Sequence, residues 1–365
     1  MKFQVKVAIA ILVVVGCAVG QATSQSAPDL WHVAATQVVS EEIQFTNGDA
    51  QLKGTVYLPK TGNNLPAVVV LHHAALPTRD ANLYRHLYQG LPAMGIAVLV
   101  YDRRGSGQST GDLNKADYET LADDAVAGQH ALGKCSRIDS KKIGFWGLSQ
   151  GGWLAVLAAG RSRDAAFAVA VSSPLVTAEE QMQFATRNSL TVRGYSQSDV
   201  QDMLAARKAW IGYLHRKTSR DEAVEALRKS EAKPWFDIAY LPRASQLTND
   251  PAHDANRKRL DDDPIAAARE ARVPLLFMFA DSDPWVPVGE SVKRLQSLSR
   301  ELPNIEYAVV SNANHEMMFP GNEKMQVDQE TTRNEMPQAP TYFMLLASWL
   351  TRYSSTKAMP HARVH

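Results

Sequence analysis

Residues 142–159 read KIGFWGLSQGGWLAVLAA. A largely apolar run leads into Gly147, and an apolar, alanine-rich stretch follows Ser149. The first half predicts a strand buried on both faces and the second a buried helix, with only Ser149 and its flanking glycines to connect them. So short a connection is a sharp turn. Gly147 and Gly151 let the backbone pack closely there and leave the serine at its tip.

Outward from this stretch the same alternation recurs. Two β-rich runs, 39–46 and 51–58, flank Asn47-Gly48-Asp49 and predict a hairpin. Apolar runs at 67–71 (AVVVL), 96–101 (IAVLVY), 167–171 (FAVAV), 274–279 (PLLFMF) and 305–310 (IEYAVV) predict further strands. Helical patterns cover about 80–94, 115–132, 150–160, 288–298 and 340–353, the last with Tyr342, Leu345, Leu346, Trp349 and Leu350 on one face. The expected fold class is α/β: a mostly parallel central sheet with helices on both faces, built from residues 36–173 and 273–355. Residues 174–272 contain no strand pattern and predict a helical cap inserted between two core strands. Its helices are expected over 198–217, capped by Ser198, and over 220–232, capped by Ser219 or Thr218. The run RKRLDDD at 257–263 reads as a solvated face.

Composition narrows the function classes. With 45% apolar and 21% charged residues in 365, the chain is an ordinary globular one. Lys and Arg number 39 against 38 Asp and Glu, so no basic footprint for nucleic acid exists. Cys17 and Cys135 are the only cysteines, too few for a disulfide scaffold or a cysteine zinc site. Lys2 and Lys6, an apolar run over 7–15 that is too short to span a bilayer, and small residues after it predict an export signal over 1–22. Val14-Val15-Gly16-Cys17 also resembles a lipobox, in which Cys17 would carry a lipid anchor. Plain secretion, with cleavage near 20–22, is the favoured expectation. The protein is thus expected in the periplasm or outside the cell, and Cys135 without a disulfide partner.

The pattern G-x-S-x-G occurs twice, around Ser109 and around Ser149. Ser149 has a strand directly before it and a helix directly after it. Ser109 lies in a polar loop beyond its strand, and is the decoy. A serine needs a base to take its proton and an acid to orient that base. In folds that carry serine on such a turn, the acid and then the histidine follow along the chain. Of the later histidines His215 and His253 fall in the helical interval and His361 and His365 in a tail. His315 alone sits in a loop after a core strand, in Val309-Val-Ser-Asn-Ala-Asn-His315. The acid should leave the end of the preceding strand, where both Asp281 and Asp283 are available; the other is a turn former. Adjacent His72 and His73 point opposite ways at a strand end, which argues against a metal site.

These motifs in register (GLSQGG at 147–152, YDRRGSGQS at 101–109, ADSDPWVP at 280–287, NANH at 312–315 and NGDAQLKGTVYLP at 47–59) resemble the α/β-hydrolase family. The pattern is similar to its bacterial branch of exported esterases with serine-aminopeptidase-like and prolyl-oligopeptidase-like hydrolases. That resemblance favours Asp283 as the acid, since Ala280-x-x-Asp283-x-x-Val286-Pro287 keeps the family spacing, whereas proximity to the strand favours Asp281. It also implies an oxyanion hole from the backbone N–H groups of Gln150 and Ala74, although His73 stands where the family usually has Gly. The implied activity is hydrolysis of a carboxylic ester through Ser149, His315 and Asp283, without metal or cofactor. A peptidase or amidase is the alternative, with Glu179 and Glu180 as candidate anchors for a substrate amine, and a non-catalytic binding protein the remote one. The expected partner is a small ester or short peptide.

Overall fold

The computed structural model describes residues 38–355 apart from 255, 256, 258, 259, 261 and 329–336. The export signal with Cys17, and part of the charged run 257–263, lie outside the described residues. The chain runs β1 (Val38–Asn47), β2 (Ala50–Pro59), β3 (Leu65–Leu71), α1 (Arg85–Ala93), β4 (Ala97–Tyr101), α2 (Tyr118–Leu132), β5 (Ile138–Leu148), α3 (Gln150–Arg161) and β6 (Ala168–Val171). The helices α4 (Ala178–Val192), α5 (Gln197–Leu214), α6 (Arg220–Glu231) and α7 (Pro264–Glu270) follow. It then closes with β7 (Leu275–Ala280), α8 (Val288–Glu301), β8 (Ile305–Val310), α9 (Glu323–Val327) and α10 (Pro340–Ser355).

The strands form one sheet in the order β1-β2-β4-β3-β5-β6-β7-β8. β1 and β2 pair antiparallel around a two-residue turn in which Gly48 takes φ +58°, and β2 lies antiparallel to β4. From β4 across to β8 every pairing is parallel. The apolar runs explain this arrangement: in β3, Ala67, Val69 and Leu71 pack on one side of the sheet and Val68 and Val70 on the other. One side is covered by α2, α3, α7 and α8, the other by α1 and α10. Each such Val or Leu withdrawn from water contributes about 1.5–3 kcal/mol, which a strand bare on one face would forfeit at every second position. On α10, Tyr342, Leu346, Trp349 and Leu350 face the core, whereas Leu345, expected on the same stripe, is 41% exposed.

Between β6 and β7 the described residues form helices and connecting turns, with no strand among them. Trp210, Tyr213, Trp235 and Phe236 are buried in a cluster of this segment's own, while Tyr240 is exposed. The cap of α5 is Ser196, not Ser198: its hydroxyl accepts the Asp199 N–H and the Asp199 carboxylate returns the contact. Ser219 caps α6 in the same way. Helix α4 has no counterpart in the sequence pattern because its buried face mixes Ala185 and Leu190 with Thr186 and Ser189.

Candidate active site

Parallel pairing brings the C-terminal ends of β3, β5, β6, β7 and β8 to one edge. Leu71 lies beside Gly147, Leu148 beside Val171, and Ala280 beside Val310. β3 and β5 are neighbours, with β4 to one side and β6 to the other, so the chain reverses its winding there and opens a crevice.

Ser149 stands at that crevice. It has φ +57° and ψ −120°, a strained conformation for a residue with a Cβ, and its N–H is held by the Val171 carbonyl at 2.8 Å. The glycines around it are required by contact. A Cβ on Gly147 would lie 1.9 Å from the Gly151 carbonyl oxygen, and one on Gly151 would lie 2.3 Å from that of Leu71. Although Ser149 precedes α3, its hydroxyl does not cap the helix and makes no hydrogen bond among the described residues, to His315 included. A nucleophile–base contact commonly tightens only with substrate. Ser109 is placed differently: its hydroxyl donates to the Asp102 carbonyl at 2.6 Å and accepts the Lys53 N–H at 2.9 Å, which ties β2 to the loop after β4.

Two strand-end loops bring His315 and Asp283 together. His315 Nδ1 lies 2.8 Å from Asp283 Oδ2, and both side chains are buried. Asp283 Oδ1 accepts the N–H groups of Trp285 at 2.8 Å and Val286 at 3.0 Å, so the carboxylate is fixed at both oxygens. With Nδ1 donating to a carboxylate, the neutral ring presents an unprotonated Nε2, the form a base requires. Burial alone would lower the His315 pKa, but the charge and hydrogen bond of Asp283, with a further contribution from Glu316, raise it above the ordinary histidine value. Asp281 has another task. It accepts the N–H groups of Asn312 and Ala313 and a hydrogen bond from Ser282 Oγ.

The loop after β3 completes the crevice. The His72 ring is packed edge-on against Tyr84 and Tyr101, and burial, helped by the Arg103 charge, lowers its pKa to about 3. The His73 ring faces His315, with centroids 5.7 Å apart, so this loop and the histidine loop meet across the ends of β5 to β7. His73 Nδ1 accepts the Ala75 N–H at 3.2 Å, and Tyr84 Oη accepts the His73 N–H while donating to the Leu76 carbonyl. Ala74 is exposed and Gln150 half-buried.

Two residues of the site carry no signal in spacing or order. Arg103 is buried beneath the His72–His73 loop and bonds the Gln150 side chain. Glu316, next to His315, is buried as well.

The chain matches the protein family described as "Serine aminopeptidase, S33" over residues 64–322. The thiohydrolase apmlB of Arthrinium phaeospermum is 32% identical over 138 residues, 36% of this chain and 43% of that protein, so the match spans less than half of the relative. Among solved structures, the Pyrococcus furiosus esterase Pf2001 has a TM-score of 0.53 at 18% identity, covering 87% of this chain and 91% of its own. The Pyrococcus horikoshii acylaminoacyl peptidase also has 0.53, at 14% identity, covering 88% of this chain and 42% of its own. At such identities the common property is the α/β-hydrolase fold.

Proposed function

We propose that this chain, which belongs to the serine aminopeptidase S33 family of α/β hydrolases, cleaves carboxylic esters by acyl transfer to Ser149. The observation that carries this reading is the buried Asp283–His315 pair, 2.8 Å apart, on the sheet edge that also holds the strained Ser149. Ser149 Oγ attacks the acyl carbon as His315 Nε2 takes its proton, and the imidazolium is held by Asp283. The carbonyl oxygen, now an oxyanion, is received by the N–H groups of Gln150 and Ala74. Losing one such donor typically costs about 2.7–4 kcal/mol of barrier. The C–O bond then breaks, His315 returns the proton to the leaving alcohol, and water repeats the sequence on the acyl-enzyme to release the acid.

Ester is preferred to amide because the acidic pair that would anchor a free amine is already engaged. Glu180 closes the cap of α4 with Thr177 and pairs with Arg294 at 2.7 Å, and Glu179 accepts a hydrogen bond from Gln183. A neighbour named as an esterase and a relative named as a thiohydrolase support acyl transfer to water. Residues 174–272 act in this reading as a cap that shapes the acyl pocket. Residues 1–22 act as an export signal, which places the enzyme in the periplasm or outside the cell.

The test is a panel of p-nitrophenyl esters of rising chain length beside aminoacyl-nitroanilides, run with fluorophosphonate labelling. Ester turnover, with labelling lost in Ser149→Ala and kept in Ser109→Ala, is expected. Efficient nitroanilide cleavage would move the assignment to an aminopeptidase. Mass spectrometry of host-made protein checks export: a start near residue 21, or a lipidated Cys17, is expected, and an intact Met1 contradicts it.

A further inference from the structure

We infer that Arg103 is a positioning residue that holds the two oxyanion donors in register; the inference rests on Ser149 being the nucleophile. The donors stand on separate elements, Ala74 in the loop after β3 and Gln150 at the start of α3, so something must fix one against the other. Arg103 reaches both elements. Its Nη2 donates to the His72 carbonyl at 2.8 Å and, at 3.4 Å, to that of His73, while its Nη1 donates to Gln150 Oε1 at 3.1 Å. Its own N–H is bonded to the Pro77 carbonyl at 2.9 Å, further along the same loop.

Peptide geometry turns this grip into direction. In a trans peptide the C=O and N–H point opposite ways. A guanidinium that draws the His73 carbonyl inward therefore turns the Ala74 N–H outward, away from Arg103. The loop is held largely by side chains, beside one backbone bond from the Leu76 N–H to the His73 carbonyl at 3.3 Å. Tyr84 Oη takes the His73 N–H and the Leu76 carbonyl, the His73 ring takes the Ala75 N–H, and Arg103 takes the His72 and His73 carbonyls. The far side of Gln150 is held in turn by Nε2 donating to Tyr118 Oη at 3.3 Å. The next residue shows the contrast, since Arg104 spends its fork on Asp124 with contacts of 2.8 and 2.6 Å, remote from Gln150 and the loop.

Arg103→Lys keeps the buried charge but loses the planar fork. Misplacing a transition-state contact by an ångström can cost about 10²-fold, and that is the fall in kcat expected on a p-nitrophenyl ester. KM should stay within about threefold, because the donors act on the oxyanion and not on the ground state. The acid limb of the pH profile should not move, since Asp283 and His315 are untouched. A purely structural role would instead lower Tm and active fraction while leaving kcat per labelled site intact. Kinetics normalised to fluorophosphonate-labelled sites that show parental kcat, or a loss confined to KM, overturn the inference. If Arg103→Lys fails to fold, Gln150→Leu removes one arm of the bridge and should also lower kcat, and a parental kcat there is equally fatal. Full esterase activity in Ser149→Ala would overturn the underlying reading, whatever Arg103 does.

Discussion

The Asp281 carboxylate accepts the backbone N–H of Asn312 at 3.0 Å, and so binds the loop that follows β7 to the loop that delivers His315. Two residues further on, Asp283 meets the histidine itself at 2.8 Å. One aspartate sets the distance between the loops and the other uses it.

The two should therefore separate on substitution. Asp283→Asn is expected to lower kcat by about 10⁴-fold, as loss of an orienting acid does elsewhere, because the imidazole loses its required tautomer. Asp281→Asn, at an exposed carboxylate, should cost about 1 kcal/mol of stability and leave most of kcat. Steady-state kinetics on one ester and urea melts decide the matter. Collapse of kcat in the Asp281 variant with near-parental Asp283→Asn would exchange the roles.

In the proposed mechanism His315 must be neutral to act as base, so activity should be lost as pH falls through its raised pKa. The acid limb of kcat/KM should lie above 6.5, the ordinary histidine value. In Asp283→Asn the burial remains while the carboxylate charge is gone, and the limb of the residual activity should move to lower pH. The pair's contribution to stability runs the other way, being complete below 6.5 and lost as pH rises through the folded pKa. A limb that stays in place in Asp283→Asn would contradict the assigned cause.

Ser149 holds a backbone conformation that glycine adopts readily. Ser149→Gly should be more stable than Ser149→Ala by about 1 kcal/mol, although alanine is ordinarily the more stabilising of the two. Both should be inactive. Thermal melts that rank Ala above Gly would mean that the turn is not strained.

His72 and His86 are fully enclosed, and burial brings each pKa to about 3. Unfolded, each takes up a proton near 6.5, so the unfolded chain gains protons that the native one refuses. Stability should fall as pH drops below 6.5, by about 1.4 kcal/mol per pH unit for each ring, until the folded value is approached. Urea midpoints across this range measure the slope, and His86→Asn should reduce it by about one proton. A flat profile would mean that the rings are not sealed from water.

The sheet was legible because strands covered on both faces read as unbroken apolar runs, and Ser149 because a strand and a helix abut it directly. His315 followed from chain order. Choosing Asp283 over Asp281 needed the family resemblance, since either aspartate suits a loop and only the fold shows which carboxylate meets the ring. Helix α4 escaped because Thr186 and Ser189 interrupt its buried face. The start of α5 was misplaced by two residues because Ser196 and Ser198 are both good caps, and only Asp199, three residues after Ser196, discriminates. Arg103 escaped because backbone carbonyls, which every residue has, leave no mark in a sequence.

The helical segment between β6 and β7 closes Met203, Trp210, Leu227 and Trp235 around one another, apart from the residues that hold the sheet together. Substitutions inside that cluster lack shared partners with the strand residues that aim Ser149 and His315, so the two sets of effects should add and not compound. In the proposed reading, where this segment shapes the acyl pocket, a lineage carrying this chain can revise the pocket while Ser149 and His315 keep their alignment. On that reading, new substrates become reachable through mutations that leave the proposed chemical step as it was.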